Sequence, residues 1–254
     1  REPGADSAIC YRGGAGFGPE DPDGAGLLLP LPQAFMRRVW GPVCGKLPPL
    51  FALGHFFLPA DEAGAEAVER LMEEVFAVHG LTVIGRRDTP IRKEVLAPYA
   101  LSACPLIRQY LVGPSGAVTY DADGDAFERL VYIARRHLEQ RVRLTMPGAA
   151  ASFHTASFSS HSVVYKGLLK GGRLAAFYRD LTDPDFAVHF AVFHERYSTN
   201  TKSAWRLAQP FHCLAHNGEI NTIAGNRINM TMREPLLSSP LFGENISYLT
   251  PVVD

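Results

Sequence analysis

The chain has 254 residues, 46% hydrophobic and 20% charged, and its 25 Lys and Arg against 26 Asp and Glu leave a formal net charge of -1. That size supports one large globular domain or two small ones, and the charge excludes the broad basic footprint that nucleic acid or an anionic membrane surface would need. No apolar stretch reaches the roughly 18 residues of a membrane-spanning helix, and the opening "REPGADSAICYRGG" has no apolar signal core, so a cytoplasmic protein with no nucleic-acid and no membrane partner is expected.

From the N-terminus, Gly, Pro and Asp dominate until "AGLLLPLP" (Ala25–Pro32), a short apolar strand. "PLFALGHFFLP" (Pro49–Pro59) is a second strand, apolar on both faces. Val68, Leu71, Met72, Val75 and Phe76 recur at helical spacing, and Gly80 is placed to stop that helix. Strands are expected at Leu81–Gly85 and Pro105–Gly113. A second helix should start near Asp125, where Asp125 and Glu128 have capping-box spacing, and bury Phe127, Leu130, Val131, Ala134 and Leu138. Ala151–Gly167 reads as a hairpin and Leu174–Leu181 as a further strand. Phe186–Thr201 opens on a run apolar on both faces, as a central strand would, and Phe211–His216 is of the same kind. A helix then follows within Ile220–Arg233. With no repeat or long linker, residues 1–254 are expected to form a single α+β domain with strands sandwiched between helices.

Cys10, Cys44, Cys104 and Cys213 lie too far apart for the paired spacing of a zinc or iron–sulfur site. They are expected to be mostly buried small hydrophobes. "GPVCGK" (Gly41–Lys46) and "GGAGFG" (Gly13–Gly18) miss the spacing of phosphate-binding motifs and read as loops. His194, Glu195, His212 and His216 could in principle serve a metal, since His212 and His216 would share a strand face, but no metal is expected.

Two strand ends carry unusual polar clusters, "HERYSTNT" and "AHNGEINT". Chemistry favours such places, because the strand fixes a polar group while the loop leaves it accessible. Arg196 offers a planar fork for a carboxylate. Asn217 offers a side-chain amide donor, and Gly218 a backbone N–H that no side chain obstructs, the pair a developing oxyanion needs. Plainer readings stand beside these: Arg196 as an ion-pair partner of a carboxylate such as Glu195, and Asn217–Gly218 as an ordinary hairpin turn.

Together, "HERYSTNT", "LAQPF", "LAHNGEINT" and "GNR", with "DGAGLLL" near the start, "VYKG" at Val164–Gly167 and "FYRDLTDPDF" at Phe177–Phe186, resemble the class II glutamine amidotransferase domain of glutamate synthase large subunits. The resemblance implies an αββα four-layer sandwich of the N-terminal-nucleophile hydrolase type, with two mainly antiparallel sheets between helices. It implies L-glutamine as substrate, hydrolysed to glutamate and ammonia through a γ-glutamyl thioester. Arg196 would hold the glutamine α-carboxylate, Thr199 would line that pocket, and Asn217 and Gly218 would form the oxyanion hole. Ammonia would pass to a glutamate synthase domain or subunit that carries FMN and an iron–sulfur cluster; no cofactor is expected in the present domain. The family's nucleophile is an N-terminal cysteine lying well before "DGAG", and Cys10 is too near Asp23 to replace it. An acidic residue that binds the substrate amine would fall beyond Asp254. The stretch 1–254 is therefore expected to be incomplete at both ends and, by itself, inactive. A non-catalytic glutamine-sensing or scaffold module of the same fold is the alternative, and a metal-dependent hydrolase a third reading.

Overall fold

The computed structural model describes residues 24–116, 124–195, 203–211 and 223–253. Its strands are β1 (Gly24–Pro30), β2 (Ala52–Leu58), β3 (Leu81–Asp88), β4 (Leu106–Pro114), β5 (His154–Ser159), β6 (Ser162–Leu168) and β7 (Val192–Glu195). The helices are α1 (Gln33–Cys44), α2 (Glu62–Val78), α3 (Pro98–Ser102), α4 (Gly124–Thr145), α5 (Pro147–Ala150), α6 (Leu174–Phe177) and α7 (Ala224–Arg233). Two antiparallel sheets form, one in the order β6-β1-β7 and the other β3-β4-β2-β5.

The apolar periodicity of α2 and α4 explains one face of the second sheet. Val68, Leu71, Met72, Val75 and Phe76 from α2, and Phe127, Val131, Ala134 and Leu138 from α4, are buried in one cluster with Ala52, Phe56 and Leu58 of β2. Asp61 caps α2 by accepting from the Gly64 N–H at 2.7 Å. Strand β2 is buried along its whole length, as its two-sided apolarity requires. Its alternate residues Leu53 and Phe57 join Ala25, Leu29, Val163 and Tyr165 in the core between the sheets. This is the α+β sandwich of antiparallel sheets and helices that the sequence led us to expect.

A buried polar network crosses that inter-sheet core. Tyr165 Oη donates to Asp180 Oδ2 at 2.8 Å and accepts from Gln109 Nε2 at 2.9 Å, while Arg87 reaches both Gln109 Oε1 and Asp180. Every member has a partner, which is the condition for such a network to order a core rather than destabilise it. His55 Nδ1 lies 2.8 Å from Val164 O, so that nitrogen carries the proton, and Nε2 accepts from Thr89 Oγ1 at 3.2 Å. Burial lowers the His55 pKa to about 3, and burial with the nearby Lys166 holds His154 well below the usual range. These groups stay neutral in the folded state and take up protons only on unfolding. Their contribution is therefore complete above about pH 6.5 and is lost as pH falls below it. Each such histidine should remove about 1 kcal/mol of unfolding free energy between pH 7.5 and 5.5. Urea titrations at the two pH values measure this; equal stabilities would show that the histidines titrate normally.

Several local expectations are corrected. The hairpin expected over Ala151–Gly167 is a crossing between sheets, since β5 pairs with β2 and β6 with β1. Buried serine hydroxyls supply acceptors at the crossing: Val164 N–H donates to Ser157 Oγ, and His161 N–H to Ser159 Oγ, both at 3.0 Å. Leu174–Leu181 is helical, with α6 followed by a 3-10 turn at Arg179–Thr182, because Leu174 and Phe177 pack into the core at helical spacing. Of the strand expected over Phe186–Thr201, residues 186–195 are described, and among them the strand forms at Val192–Glu195, on the edge of its sheet among the described residues, while Val188 and Phe190 are exposed. Arg38 of α1 draws the preceding "DPD" turn aside by binding Asp183 and Asp185, the latter at 2.6 Å. Phe186 then packs on Phe35 with ring centroids 4.9 Å apart.

Helix α1 was not anticipated, and most of the "GPVCGK" loop belongs to it. Pro42 lies in its last turn, and the helix stops where Gly45 takes φ +72°. The Glu128 carboxylate serves Ser160, accepting from its N–H and Oγ at 2.7 Å each, rather than closing a capping box. Of the expected strand Phe211–His216 only Phe211 is described, in a single bridge. Cys104 is buried and Cys44 half-buried, as small hydrophobes; Cys10 and Cys213 lie outside the described residues.

Candidate active site

Arg196, Thr199, Asn217 and Gly218 all lie outside the described residues, as do His212 and His216. What the structure shows is the frame from which their segments leave and to which they return. Strand β7 ends at Glu195, directly before Arg196, and its register places His194 opposite Gly26 and Glu195 opposite Ala25. On the other side of β1, Gly26 faces Lys166. The row Lys166, Gly26, His194 therefore crosses the sheet close to the end of β7.

The segment 203–211, between the two polar clusters, is laid against this row. Trp205 anchors it. Its indole is buried, stands edge-on to Phe57 with centroids 5.9 Å apart, lies 5.7 Å from Phe177, and donates from Nε1 to Ala100 O at 3.1 Å. Gly167 leaves the space: a Cβ there would stand 2.6 Å from Trp205 Cζ3. Tyr99 Oη adds a hydrogen bond to Ser203 O at 3.1 Å. Farther along, the backbone approaches Gly26 so closely that a Cβ would lie 2.5 Å from Gln209 O, 2.6 Å from Lys166 Cβ and 3.0 Å from Pro210 Cδ. The Gln209–Pro210 peptide is cis. A glycine at position 26 is thus what lets 209–210 cross β1.

Lys166, which the sequence reading left without a role, is fully buried beneath this segment. Its Nζ donates to Arg206 O at 3.1 Å and lies 5.0 Å from the centre of the Phe211 ring. Burial, reinforced by Arg135, lowers its pKa to about 7. The nearby His154 keeps a buried Nε2 that has no hydrogen-bond partner among the described residues. The sequence signals for Lys166 were its place in the "VYKG" motif and a lysine set in the largely apolar run "SVVYKGLL".

Glu195 accepts from the Gly171 N–H at 2.9 Å. A Cβ at Gly171 would meet the Glu195 carboxyl carbon at 2.6 Å, so a side chain there would make the carboxylate shift. Neither described cysteine suits nucleophilic attack. Burial pushes the Cys104 thiol up to about 11, and Cys44 donates to Trp40 O at 3.2 Å inside α1. Among the described residues no group of three or more His, Cys, Asp or Glu is arranged to hold a metal ion, and no helix is long and apolar enough to cross a membrane.

Two antiparallel sheets with helices packed on them define an α+β sandwich, in which β7 ends directly before Arg196. Residues 5–254 match the model for class-II glutamine amidotransferases, and the chain belongs to that family. It is 37% identical over 247 residues to a ferredoxin-dependent glutamate synthase of Cyanidium caldarium, covering 96% of this chain and 16% of that protein. It is 35% identical over 246 residues to the large chain of an NADPH glutamate synthase of Bacillus subtilis, covering 97% and 16%. The corresponding chain of Azospirillum brasilense is 36% identical over 248 residues, with the same coverage of 97% and 16%. The chain thus spans about a sixth of the length of these curated relatives.

Proposed function

We propose that residues 1–254 are the glutamine-hydrolysing part of a glutamate synthase-like enzyme. The observation that carries this reading is the family match over residues 5–254, which takes in both polar clusters and the frame between them. Arg196 binds the α-carboxylate of L-glutamine in bidentate fashion, and Thr199 lines the same pocket. The family's N-terminal cysteine attacks the side-chain amide carbon, its own α-amine taking the thiol proton and returning it to the departing ammonia. Asn217 and the Gly218 N–H stabilise the tetrahedral oxyanion. Water then hydrolyses the γ-glutamyl thioester to glutamate and frees the thiol.

Ammonia passes to a synthase domain or subunit, and FMN and an iron–sulfur cluster belong to that partner region. The present chain assigns them no residues. The reading is tested on the mature protein isolated from its own cells, by N-terminal sequencing and a glutaminase assay. An N-terminal cysteine with glutamine-dependent ammonia release is the expected result. A mature protein with no N-terminal cysteine, which binds glutamine without releasing ammonia, would overturn it in favour of a sensing or scaffold module.

A further inference from the structure

We infer that Lys166 is a positioning residue, whose buried ammonium fixes the backbone 206–211, the stretch that leads in sequence to Asn217 and Gly218. The inference deepens the proposed function, on which its catalytic consequence rests.

A lysine is rarely buried completely, because its charge loses hydration that a few fixed dipoles only partly replace. Lys166 is fully buried on β6, and the described contacts of its ammonium are a carbonyl and an aromatic face, Arg206 O and Phe211. Both belong to one short stretch of chain. Its own backbone is held as well, since Tyr178 Oη donates to Lys166 O at 2.8 Å. One end of the side chain is therefore rooted in the sheet and the other grips the crossing segment, with Gly26 opening the gap beneath.

The grip spans the last stretch of chain before position 212. Trp205 fixes the start of that stretch, and Phe211 immediately precedes the segment bearing the oxyanion donors. Core packing does not call for a cation at this position, where methionine would fill much of the same volume. A directional donor and a cation over a ring, in contrast, set where a backbone segment sits. The pKa of about 7 shows how little the surroundings compensate the charge, which is what a role other than stability would tolerate.

The experiment compares Lys166→Met and Lys166→Gln with the wild type in the full-length protein. Met should fold, since it exchanges a buried cation for an apolar chain of similar length. If Lys166 positions the oxyanion donors, kcat for glutamine hydrolysis falls about a hundredfold, while KM for glutamine stays within about threefold because the carboxylate clamp leaves from β7. Amide hydrogen exchange over 206–222 accelerates by about tenfold, and exchange in β2 and β4 does not change. A kcat within about threefold of wild type in both variants, or unaltered exchange over 206–222, overturns the inference. A wild-type protein with no glutaminase activity would overturn the proposed function instead, and the exchange data would still decide whether Lys166 anchors the segment.

Discussion

Asn217→Ala in the complete protein should lower kcat for glutamine hydrolysis by about a hundred- to a thousandfold, the cost of removing one oxyanion-hole donor. The carboxamide is assigned to the transition state, where negative charge gathers on the former amide oxygen. The loss should accordingly fall on kcat, with KM little affected. Gly218 is proposed to act through its backbone N–H, so substitution of Asn217 should leave one donor in place and a measurable residual rate. Steady-state kinetics with glutamine checks the split. An activity within about threefold of wild type would show that Asn217 is not an oxyanion donor.

Arg196→Ala should act on the other parameter, raising KM for glutamine by at least about a hundredfold. A hydrogen bond to a charged group contributes about 1.5–3 kcal/mol, and a guanidinium gripping a carboxylate in bidentate fashion makes two. Arg196→Lys should recover part of the affinity, because a point charge remains while the planar fork is gone. Glutamine amide, which lacks the α-carboxylate, should discriminate poorly between wild type and Arg196→Ala. An unchanged KM for glutamine would remove Arg196 from the substrate pocket and leave the ion-pair reading. Cys104 and Cys44, by their burial and contacts, should remain inert throughout such assays.

How much was legible beforehand depends on whether a feature is local. Helix α2 could be read because Val68, Leu71, Met72, Val75 and Phe76 all answer to a single apolar face. Strand β2 could be read because both its faces are covered and its composition says so. The β5–β6 crossing could not: two strands separated by a turn look alike whether they pair with each other or separate into different sheets. Only the long-range partners, β2 for one and β1 for the other, make the distinction. Leu174–Leu181 carries the aromatic residues of a strand, yet its backbone conformation follows from where Leu174 and Phe177 meet the core. Among the described residues of the strand expected over Phe186–Thr201, the part before Val192 forms no strand, next to a turn that Arg38, more than a hundred positions away, binds at Asp185.

The site divides along the same line. Arg196, Thr199, Asn217 and Gly218 stand in contiguous motifs whose residue types suit carboxylate binding and oxyanion stabilisation, so the sequence by itself determined the family and the chemistry to expect. The order of apolar strands and amphipathic helices set the class, α+β, and the net charge of -1 argued against a broad basic footprint. The supporting frame had no such signature. Gly26, Lys166 and Gly167 stand in motifs that carried the resemblance without a role attached, and their roles, like that of Trp205, arise only because β1, β6 and the segment 203–211 meet. Tertiary structure alone decided that a glycine must lie beneath Gln209, that an indole fills the space above Gly167, and that a buried ammonium contacts the backbone at Arg206. A motif records the chemistry a short stretch can offer, whereas the placement of that stretch depends on contacts between residues that the sequence keeps far apart.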